Sequence, residues 1–482
     1  MAGLLSTFPK RVKVLDPGAG TGTLSAAICN RVLALSSPHH LEIHLFETDA
    51  SIIPLLDENM KNCRSALRER GHRMSYDIHQ ADYILSNAHA FGQHLLFDSG
   101  TELGQFDLVI MNPPYFKVGK DSQYAQIMYR LVHGQPNIYA LFMALGAEML
   151  RPGGQLVAIT PRSFCSGLYF RGFRRWFFDR MSLRHIHLFE SRTDTFREAN
   201  VLQESVITLT QRLTKQPASI AISTSYGRDL PKEPAARQIA ANKVIDAANG
   251  SMVVRIPENA QDALVMELVE AWPKRFLDLG LRVSTGPVVM FRARQFLLDS
   301  LDAKDAVPLL SVHNVHPFQT VWPVPKKNKP TGFKACAESR RLLVPTRNYV
   351  LLRRFTAKEE RRRLVASCFL KNSEARPYVA LENHLNYIYH QSRELTDHEV
   401  YGLAALFNSA LLDRYFRTIS GNTQVNATEL RTINFPDLNT IARIGRHIVK
   451  LEQAATREAE RIVAAELGAN GPLQQYLTGL VT

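Results

Sequence analysis

The stretch Asn112-Pro113-Pro114-Tyr115 contains the residue types in this sequence that are best suited to chemistry. It follows a short apolar run, residues 107–111, which predicts a buried strand. The proline rings fix the backbone of the corner and remove two N–H donors, so the carbonyl groups remain as acceptors. An amide, a carbonyl and an aromatic side chain would then meet at the carboxyl end of a strand, where open α/β sheets bind their ligands.

A glycine-rich turn lies near the start of the chain. Residues 13–16 predict a strand that ends at Asp16, the segment Pro17-Gly18-Ala19-Gly20-Thr21-Gly22 forms the turn, and residues 23–32 predict a helix. Glycines let the backbone pass close to a ligand, and the carboxylate of Asp16 can hold a cationic amine. A tight turn without a ligand is the structural alternative at this position.

Two acids follow this turn, at the ends of the next two predicted strands. Glu47 is placed to accept hydrogen bonds from both hydroxyls of a ribose, and Asp82 from the exocyclic amine of an adenine. Either acid alone is explained equally well as a solvated strand end. Two such acids above one glycine-rich turn favour a nucleoside-binding site.

Short apolar runs alternate with helical patterns through the first half of the chain. Six runs predict parallel strands, at residues 13–16, 42–49, 76–82, 106–112, 155–160 and 184–189. A seventh run, residues 204–210, follows the sixth with no room for a crossover helix, so it predicts an antiparallel strand. The first half is therefore predicted to be a doubly wound α/β sheet with an antiparallel last strand.

Length and composition limit the class of protein. A chain of 482 residues is too long for one ordinary core, so we expect two large domains. The net charge of +13 favours a polyanionic partner, and nucleic acid over a membrane surface. The five cysteines lie singly, without a Cys-x-x-Cys pair or a disulfide framework, so we expect no metal site and a reducing cytoplasm. We find no secretion signal and no run of membrane-spanning length.

The ordered set of motifs resembles a known family. Residues 16–22, Glu47, Asp82, the Asn112-Pro113-Pro114-Tyr115 motif and Phe196 occur in the order found in adenine-N6 DNA methyltransferases of the γ class, and a large extension follows them. Those enzymes are modification methylases of bacterial restriction-modification systems, and the chain resembles their Eco57I-like branch. The resemblance implies a Rossmann-like sheet that binds S-adenosyl-L-methionine, double-stranded DNA as the substrate, and a cognate restriction endonuclease on another chain.

The resemblance also implies roles for single residues. The side-chain oxygen of Asn112 and the carbonyl of Pro113 would accept the two hydrogens of an adenine amine, which aims the nitrogen lone pair at the methyl group. Tyr115 and Phe196 would stack on the two faces of a base that has left the duplex, at about 1–3 kcal/mol per base. Phe142 would lie against the adenine of the cofactor. Core packing is the structural alternative for Phe196 and for Phe142.

One segment departs from the family pattern. The family has a Thr-Pro-containing segment well upstream of the glycine-rich turn, and that segment forms a wall of the cofactor pocket. Only residues 1–12 precede the first predicted strand here, and Thr7-Phe8-Pro9 lies too close to the turn for that role. We expect either a truncated start or a wall supplied by a separate chain, and a weaker affinity of this chain alone for the cofactor.

The second half resembles the family's target-recognition domain and is predicted to be mixed α/β. Its basic residues suit phosphates and guanine edges, although a solvated basic helix is the alternative for the run Arg361-Arg362-Arg363. The amide-rich residues 420–426 could pair with adenine edges or form a turn, and Asn383-His384-Leu385-Asn386-Tyr387 also matches the family. Residues 441–467 predict one long amphipathic helix.

The predicted organisation is then a methyltransferase catalytic domain at residues 1–212, a connector with a helix at 213–270, a DNA target-recognition domain at 271–440 and a C-terminal helix at 441–482. The predicted enzyme is a site-specific adenine-N6 DNA methyltransferase. One alternative is a methyltransferase that acts on RNA or on a protein glutamine, because the same motif serves those enzymes. The other is a DNA-binding specificity subunit without catalytic activity. The basic second half favours DNA over RNA or protein.

Overall fold

A computed structural model describes residues 1–5, 8–91, 105–131, 134, 137–189, 205–212, 217–225, 236–247, 250–324, 329–356, 360–420, 424–451 and 456–480. The chain divides into two compact units, Met1–Glu258 and Asn259–Thr482. The division falls inside residues 213–270, the stretch predicted as a connector. Among the described residues, no helix is long and apolar enough to cross a membrane.

A large sheet forms the centre of the first unit. Its strands are β1 Arg11–Pro17, β2 His40–Phe46, β3 Arg73–His79, β4 Phe106–Met111, β5 Leu150–Pro161, β6 Met181–Phe189, β7 Ser205–Arg212, β8 Ser219–Ser225 and β9 Ala236–Ala240. They lie in the order β3-β2-β1-β4-β5-β7-β6-β8-β9. Strands β1 to β5 pair in parallel, and β7 is antiparallel to both of its neighbours, β5 and β6. The predicted parallel sheet with its antiparallel seventh strand is confirmed.

The first unit continues beyond residue 212, the predicted end of the catalytic domain. Strand β8 pairs in parallel with β6 and antiparallel with β9. Ile220 and Ile222 in β8 are fully buried and belong to the same core as the motif's strand. Because these side chains need the cover of that core, strands β8 and β9 extend the sheet instead of forming a connector.

Helices flank this sheet. They are α1 Thr23–Leu33, α2 Ile53–Glu69, α3 Tyr83–Ser86, α4 Gln123–Ile127, α5 Ile138–Glu148, α6 Arg171–Phe178 and α7 Ala241–Val244, and a short pair of strands, β10 Ile245–Asp246 and β11 Val253–Val254, follows them. Helix α1 begins directly after the glycine-rich turn, as predicted. Asn137 caps α5 through the N–H of Tyr139. Residues 138–147 of α5 are all buried, as their continuous apolar character requires.

The second unit is mixed α/β, as predicted. Its strands are β12 Lys274–Arg275, β13 Leu281–Thr285, β14 Leu297–Leu298, β15 Ala306–Leu310, β16 Val315–His316, β17 Phe318–Thr320, β18 Gly332–Lys334, β19 Leu343–Pro345, β20 Tyr349–Arg353, β21 Ala366–Phe369, β22 Tyr378–Leu381, β23 Leu385–His390 and β24 Asn434–Phe435. One sheet has the order β13-β23-β20-β21-β17-β16, a second has the order β14-β18-β15-β22-β19, and β12 pairs with β24.

The helices of the second unit are α8 Ala260–Glu270, α9 Asp397–Asn408, α10 Ala410–Ile419, α11 Ala427–Thr432, α12 Leu438–Ile448, α13 Thr456–Glu466 and α14 Pro472–Gly479. The prediction of one long helix over residues 441–467 is wrong, because α12 and α13 are separate helices that both contact α9. Ile444 and Val463 are buried in one core. Two helices can bury both apolar faces against α9, which one straight helix cannot do. Gly402 and Gly445 let α9 and α12 approach closely.

Candidate functional site

The Asn112-Pro113-Pro114-Tyr115 motif begins where β4 ends, at Met111. Strand β4 lies beside β1 and parallel to it, so the carboxyl ends of the two strands share one edge of the sheet. The glycine-rich turn after β1 and the motif after β4 are therefore neighbours at that edge. Asn112 is exposed there, whereas Pro113 is buried.

Glu47 joins the turn after β1 to the turn after β2. Its Oε2 accepts the backbone N–H of Gly20 at 2.9 Å, and its Oε1 accepts the N–H groups of Thr48 and Asp49 at 2.8 and 2.9 Å. These three hydrogen bonds fix the carboxylate beside the glycine-rich turn. A carboxylate has about four acceptor sites, so Glu47 retains capacity for a further donor.

The glycine-rich turn has two kinds of glycine. Gly20 and Gly22 both have positive φ, at 56° and 81°, which a residue with a side chain rarely adopts. A Cβ on Gly20 would meet no atom of the described residues within 4 Å, so this glycine borders space that those residues leave open. A Cβ on Gly22 would lie 2.7 Å from Leu56 Cδ1 and 2.9 Å from Met60 Cε, so this glycine lets α1 pack against α2.

Asp16 is the buried carboxylate of the site. It is fully buried at the end of β1, and its Oδ2 accepts the hydroxyl of Ser25 at 2.7 Å. Its Oδ1 has no hydrogen-bond partner among the residues that the structure describes. Burial raises the pKa of Asp16 to about 7, and the charge of Glu47 acts in the same direction. A buried acceptor of this kind suits a donor or a cation on a ligand.

Asp82 lies beyond the end of its strand. The prediction placed it at the end of β3, but β3 ends at His79, and Asp82 instead caps helix α3. Its Oδ1 accepts the N–H of Leu85 at 2.9 Å, because a carboxylate at this position satisfies a free donor of the first helical turn. Its Oδ2 accepts the hydroxyl of Tyr124 at 2.7 Å. Asp82 therefore binds the chain segment that follows the motif.

Tyr115 is anchored at its hydroxyl. The hydroxyl lies 2.9 Å from Asn112 Oδ1 and 2.9 Å from the carbonyl oxygen of Ile159 in β5. Burial raises the pKa of Tyr115 well above its usual range, so the group remains protonated and donates. The ring also meets Tyr139 edge to face, with centroids 6.1 Å apart. The motif's amide and aromatic ring are thus held together as one group.

Phe142 and Phe196 are the two other aromatic residues that were predicted to lie in the site, and the structure describes only the first of them. Phe142 in α5 is 8 % exposed, and its ring packs against Tyr83 with centroids 5.2 Å apart. Its Cε1 is 3.8 Å from the position that a Cβ on Gly18 would take. Phe142 therefore contacts both the core and the glycine-rich turn. Phe196 lies outside the described residues.

Three residues of the site were not predicted. Ser25, Tyr124 and Ser163 bind Asp16, Asp82 and the Tyr139 hydroxyl, respectively, and the last of these distances is 2.9 Å. Ser25 could have been found, because the first turn of a helix that follows a glycine-rich turn faces the preceding strand end. The sequence contains no comparable signal for Tyr124 or Ser163.

The basic run of the second unit is mostly internal. Arg363 is buried, and its Nε donates to Thr356 Oγ1 at 3.2 Å. Arg362 lies 3.6 Å from the buried carboxylate of Glu460, whereas Arg361 is exposed. The alternative of a solvated helix is wrong for residues 360–363, which are not helical. Pairing with Glu460 and packing against the core explain the position of two of the three arginines.

The amide stretches of the second unit are partly structural. Asn386 is fully buried, its Nδ2 donates to the Val425 carbonyl at 2.7 Å, and its Oδ1 accepts the Thr285 hydroxyl at 3.0 Å. Gln424 accepts a hydrogen bond from Arg354 at 3.3 Å. Residues 421–423 lie outside the described residues. Asn386 therefore stabilises the fold of this unit.

The sheet order, with a glycine-rich turn after β1 and Asn112-Pro113-Pro114-Tyr115 after β4, defines the class of S-adenosylmethionine-dependent methyltransferase folds. Residues 22–196 match the family model of the Eco57I restriction-modification methylase. The chain is 32% identical over 450 residues to the type II methyltransferase M.PstI of Providencia stuartii, covering 93% of this chain and 87% of that protein. The chain belongs to this family of restriction-modification methyltransferases.

Two other known proteins are similar to the chain. The type II methyltransferase M.BsuBI of Bacillus subtilis is 32% identical over 446 residues, covering 91% of this chain and 85% of that protein. Among solved structures, the type IIL restriction-modification enzyme MmeI, in complex with DNA, has a TM-score of 0.56. That match covers 98% of this chain and 72% of the MmeI chain at 11% identity, so it supports the fold alone.

Proposed function

We propose that this chain transfers a methyl group from S-adenosyl-L-methionine to N6 of an adenine that has left the DNA duplex. The observation that carries this proposal is the shared edge of the sheet. A nucleotide-binding type of turn follows β1, and a motif with two hydrogen-bond acceptors and an aromatic ring follows the neighbouring strand β4. This arrangement would bring a planar amine next to a cofactor.

The described residues fit S-adenosyl-L-methionine. Oδ1 of Asp16 is buried and has no partner among the described residues, so it suits the cationic amino group of the methionine part. The described residues leave open space beside Gly20, so a ligand could approach the backbone there. Glu47 beside this turn would accept the ribose hydroxyls, Asp82 the adenine amine, and Phe142 would contact the adenine ring. Bound in this way, the cofactor would supply an activated methyl group on a sulfonium.

The motif would prepare the adenine amine. Asn112 Oδ1 and the carbonyl of Pro113 would accept its two hydrogens, and this pulls the nitrogen out of conjugation with the ring. The prolines contribute no N–H that could compete for those acceptors. Tyr115 would stack on one face of the base, and its hydroxyl bonds keep the ring and the Asn112 amide in a fixed relation. Phe196 would stack on the other face.

Double-stranded DNA is the proposed substrate. The net charge of +13 suits a polyanion, and the two relatives at 32% identity are type II methyltransferases. MmeI, whose solved structure has the same fold, is a restriction-modification enzyme in complex with DNA. The same proposal has three further parts. The second unit would recognise the target sequence, a cognate endonuclease would be present on another chain, and the protein would act in the cytoplasm.

Radiolabelled transfer tests this function. The protein is incubated with tritiated S-adenosyl-L-methionine and, in parallel reactions, with a pool of duplex DNA, with RNA and with protein, and the DNA is then digested to nucleosides. We expect the label in N6-methyladenine. Label that appears only in RNA, in protein or in another nucleoside would refute the proposal.

An inactive variant provides the control for this assay. Asn112→Ala removes the amide acceptor and should lower transfer by about 100-fold or more, in line with the loss of one strong transition-state hydrogen bond. Its affinity for DNA should remain, because DNA is held by many other contacts. Transfer that persists at the normal rate in Asn112→Ala would exclude the motif as the reacting site.

A further inference from the structure

The hydroxyl of Tyr124 donates to Asp82 Oδ2 at 2.7 Å, while the N–H of Leu85 occupies Oδ1. The carboxylate is thus held from two helices, α3 and α4. Burial raises the pKa of Tyr124 to about 12, and the bond to Asp82 contributes to this rise, so the hydroxyl remains a donor at neutral pH. Two donors from separate elements fix the plane of a carboxylate better than either donor alone.

The segment that carries Tyr124 starts at the motif and is tied to the core. Val118 is buried in this segment, and Ser122 caps α4 through the N–H of Ala125 at 3.3 Å. Ala125 and Ile127 of α4 are buried in the same core as the strand that leads to the motif. A shift of α4 would therefore move the chain beside Tyr115.

We propose that Tyr124 is a positioning residue that couples cofactor recognition at Asp82 to the segment following the motif. This inference rests on the proposed function, in which Asp82 accepts the adenine amine of S-adenosyl-L-methionine. The Tyr124 hydroxyl orients the carboxylate, whose remaining acceptor sites then serve that amine. The coupling is reciprocal: cofactor binding at Asp82 stabilises α4 and the segment before it, and the ordered segment strengthens cofactor binding.

Packing alone would require the ring of Tyr124 but not its hydroxyl. The ring lies against the core of the first unit and remains in Tyr124→Phe, which removes only the bond to Asp82. The hydroxyl can therefore be tested without a cavity. Tyr129→Phe is the matched control, because Tyr129 follows α4, is 59% exposed and accepts a hydrogen bond from Arg130 at 3.0 Å.

Calorimetry with two ligands tests the role of the hydroxyl. S-adenosylhomocysteine carries the adenine amine, whereas S-inosylhomocysteine has an oxygen in its place. We expect Tyr124→Phe to weaken the binding of S-adenosylhomocysteine by about 3- to 10-fold, the value of one hydrogen bond, and to leave S-inosylhomocysteine binding unchanged. Equal weakening of both ligands, or of neither, would overturn the proposed role. Tyr129→Phe should bind both ligands like the wild type.

Hydrogen exchange tests the coupling. Addition of S-adenosylhomocysteine should slow amide exchange in residues 116–131 of the wild type and of Tyr129→Phe, with clearly smaller protection in Tyr124→Phe. Protection of the same size in all three proteins would overturn the coupling while leaving the proposed function intact. A wild-type protein that does not bind S-adenosylhomocysteine would overturn the proposed function and this inference together.

Discussion

The hydroxyl of Tyr115 lies 2.9 Å from the side-chain oxygen of Asn112, so the aromatic ring and the amide of the motif are joined directly. The same hydroxyl lies 2.9 Å from the Ile159 carbonyl of the neighbouring strand β5. A single group thus links the motif to the sheet. Besides the stacking proposed for its ring, the tyrosine would limit the rotation of the amide that is proposed to hold the substrate.

Tyr115→Phe should separate these two roles. The ring remains for stacking, so we expect unchanged affinity for DNA. The rate of methyl transfer in a single turnover should fall by about 3- to 10-fold, because the Asn112 amide loses a hydrogen bond that orients it. Quench-flow with labelled cofactor measures the rate, and Tyr129→Phe is the control. A normal rate in Tyr115→Phe would show that the amide needs no such support.

The glycine-rich turn offers a pair of matched substitutions. In Gly22→Ala the new Cβ would crowd the fully buried Leu56 and Met60, and the alanine would also have to adopt a positive φ, so we expect the free energy of unfolding to fall by about 2–4 kcal/mol. In Gly20→Ala the Cβ meets no described atom within 4 Å, so we expect only the positive φ to lower the free energy of unfolding, by about 1 kcal/mol.

The two glycine variants should rank in the opposite order for cofactor affinity, with the larger loss in Gly20→Ala. Gly20→Ala should weaken S-adenosylhomocysteine binding strongly, because its methyl group would occupy the space beside the turn through which the ligand would approach the backbone. Gly22→Ala should weaken binding less once the protein is folded. Calorimetry and thermal melts of both variants check this, and equal effects on binding would argue against an approach of the ligand at Gly20.

The sequence predicted the first unit well, because its signals are local. The strands around Asp16, Glu47 and the motif are short apolar runs with a polar residue at the end, and the order of a doubly wound sheet then brings those ends together. The partners of these residues were harder to predict. The bond between Tyr124 and Asp82 joins two helices that are distant in sequence, and no periodic pattern records such a contact.

The second half was predicted less accurately, because the sequence does not distinguish basic residues exposed on the surface from basic residues buried in the fold. Arg361 is exposed, whereas Arg363, in the same run, is buried. Only the fold reveals that Glu460, far along the chain, lies beside Arg362. The sequence of residues 441–467 has one amphipathic pattern, so the separation of α12 from α13 is visible only in the structure, where both contact α9.

Asp413 should be essential for the stability of the second unit. Its Oδ1 accepts the backbone N–H groups of Arg363 and Leu364 at 2.6 and 2.9 Å, and its Oδ2 accepts Arg417 Nε at 2.8 Å. Asp413→Ala removes the carboxylate that accepts from two buried backbone N–H groups and from the half-buried Arg417, so we expect a loss of about 3–5 kcal/mol in the free energy of unfolding.

Two companion variants make the Asp413 measurement specific. Asp413→Asn keeps one amide oxygen for the N–H groups and should cost less than Asp413→Ala. Asp302→Ala, at an exposed position in the same unit, should change stability by less than about 0.5 kcal/mol. Urea denaturation, monitored through the unfolding transition of the second unit, gives these free energies. Equal losses in Asp413→Ala and Asp302→Ala would contradict the structural role of Asp413.

Asp16 should make stability depend on pH. Folding buries the carboxyl group of Asp16 and raises its pKa from the ordinary 3.8 of an exposed aspartate to about 7. Between these values the folded state holds a proton that the unfolded state has lost, so this group favours folding less as the pH rises from about 4 to about 7. Asp16→Asn has no such group. Relative to the wild type, it should therefore gain roughly 2 to 3 kcal/mol of stability between pH 5 and pH 8.

The affinity for the ligand should also depend on the protonation of Asp16, but it should increase with pH, whereas the stability decreases. The ionised form of Asp16 attracts a cationic amine, so the affinity of the wild type for S-adenosylhomocysteine should increase as the pH rises from 6 to 8. In Asp16→Asn the affinity should be low and nearly constant over that range. Asp299→Asn, at an exposed position, should match the wild type in melts and in calorimetry. A wild-type affinity that stays constant from pH 6 to pH 8 would mean that the buried carboxylate does not hold the amine.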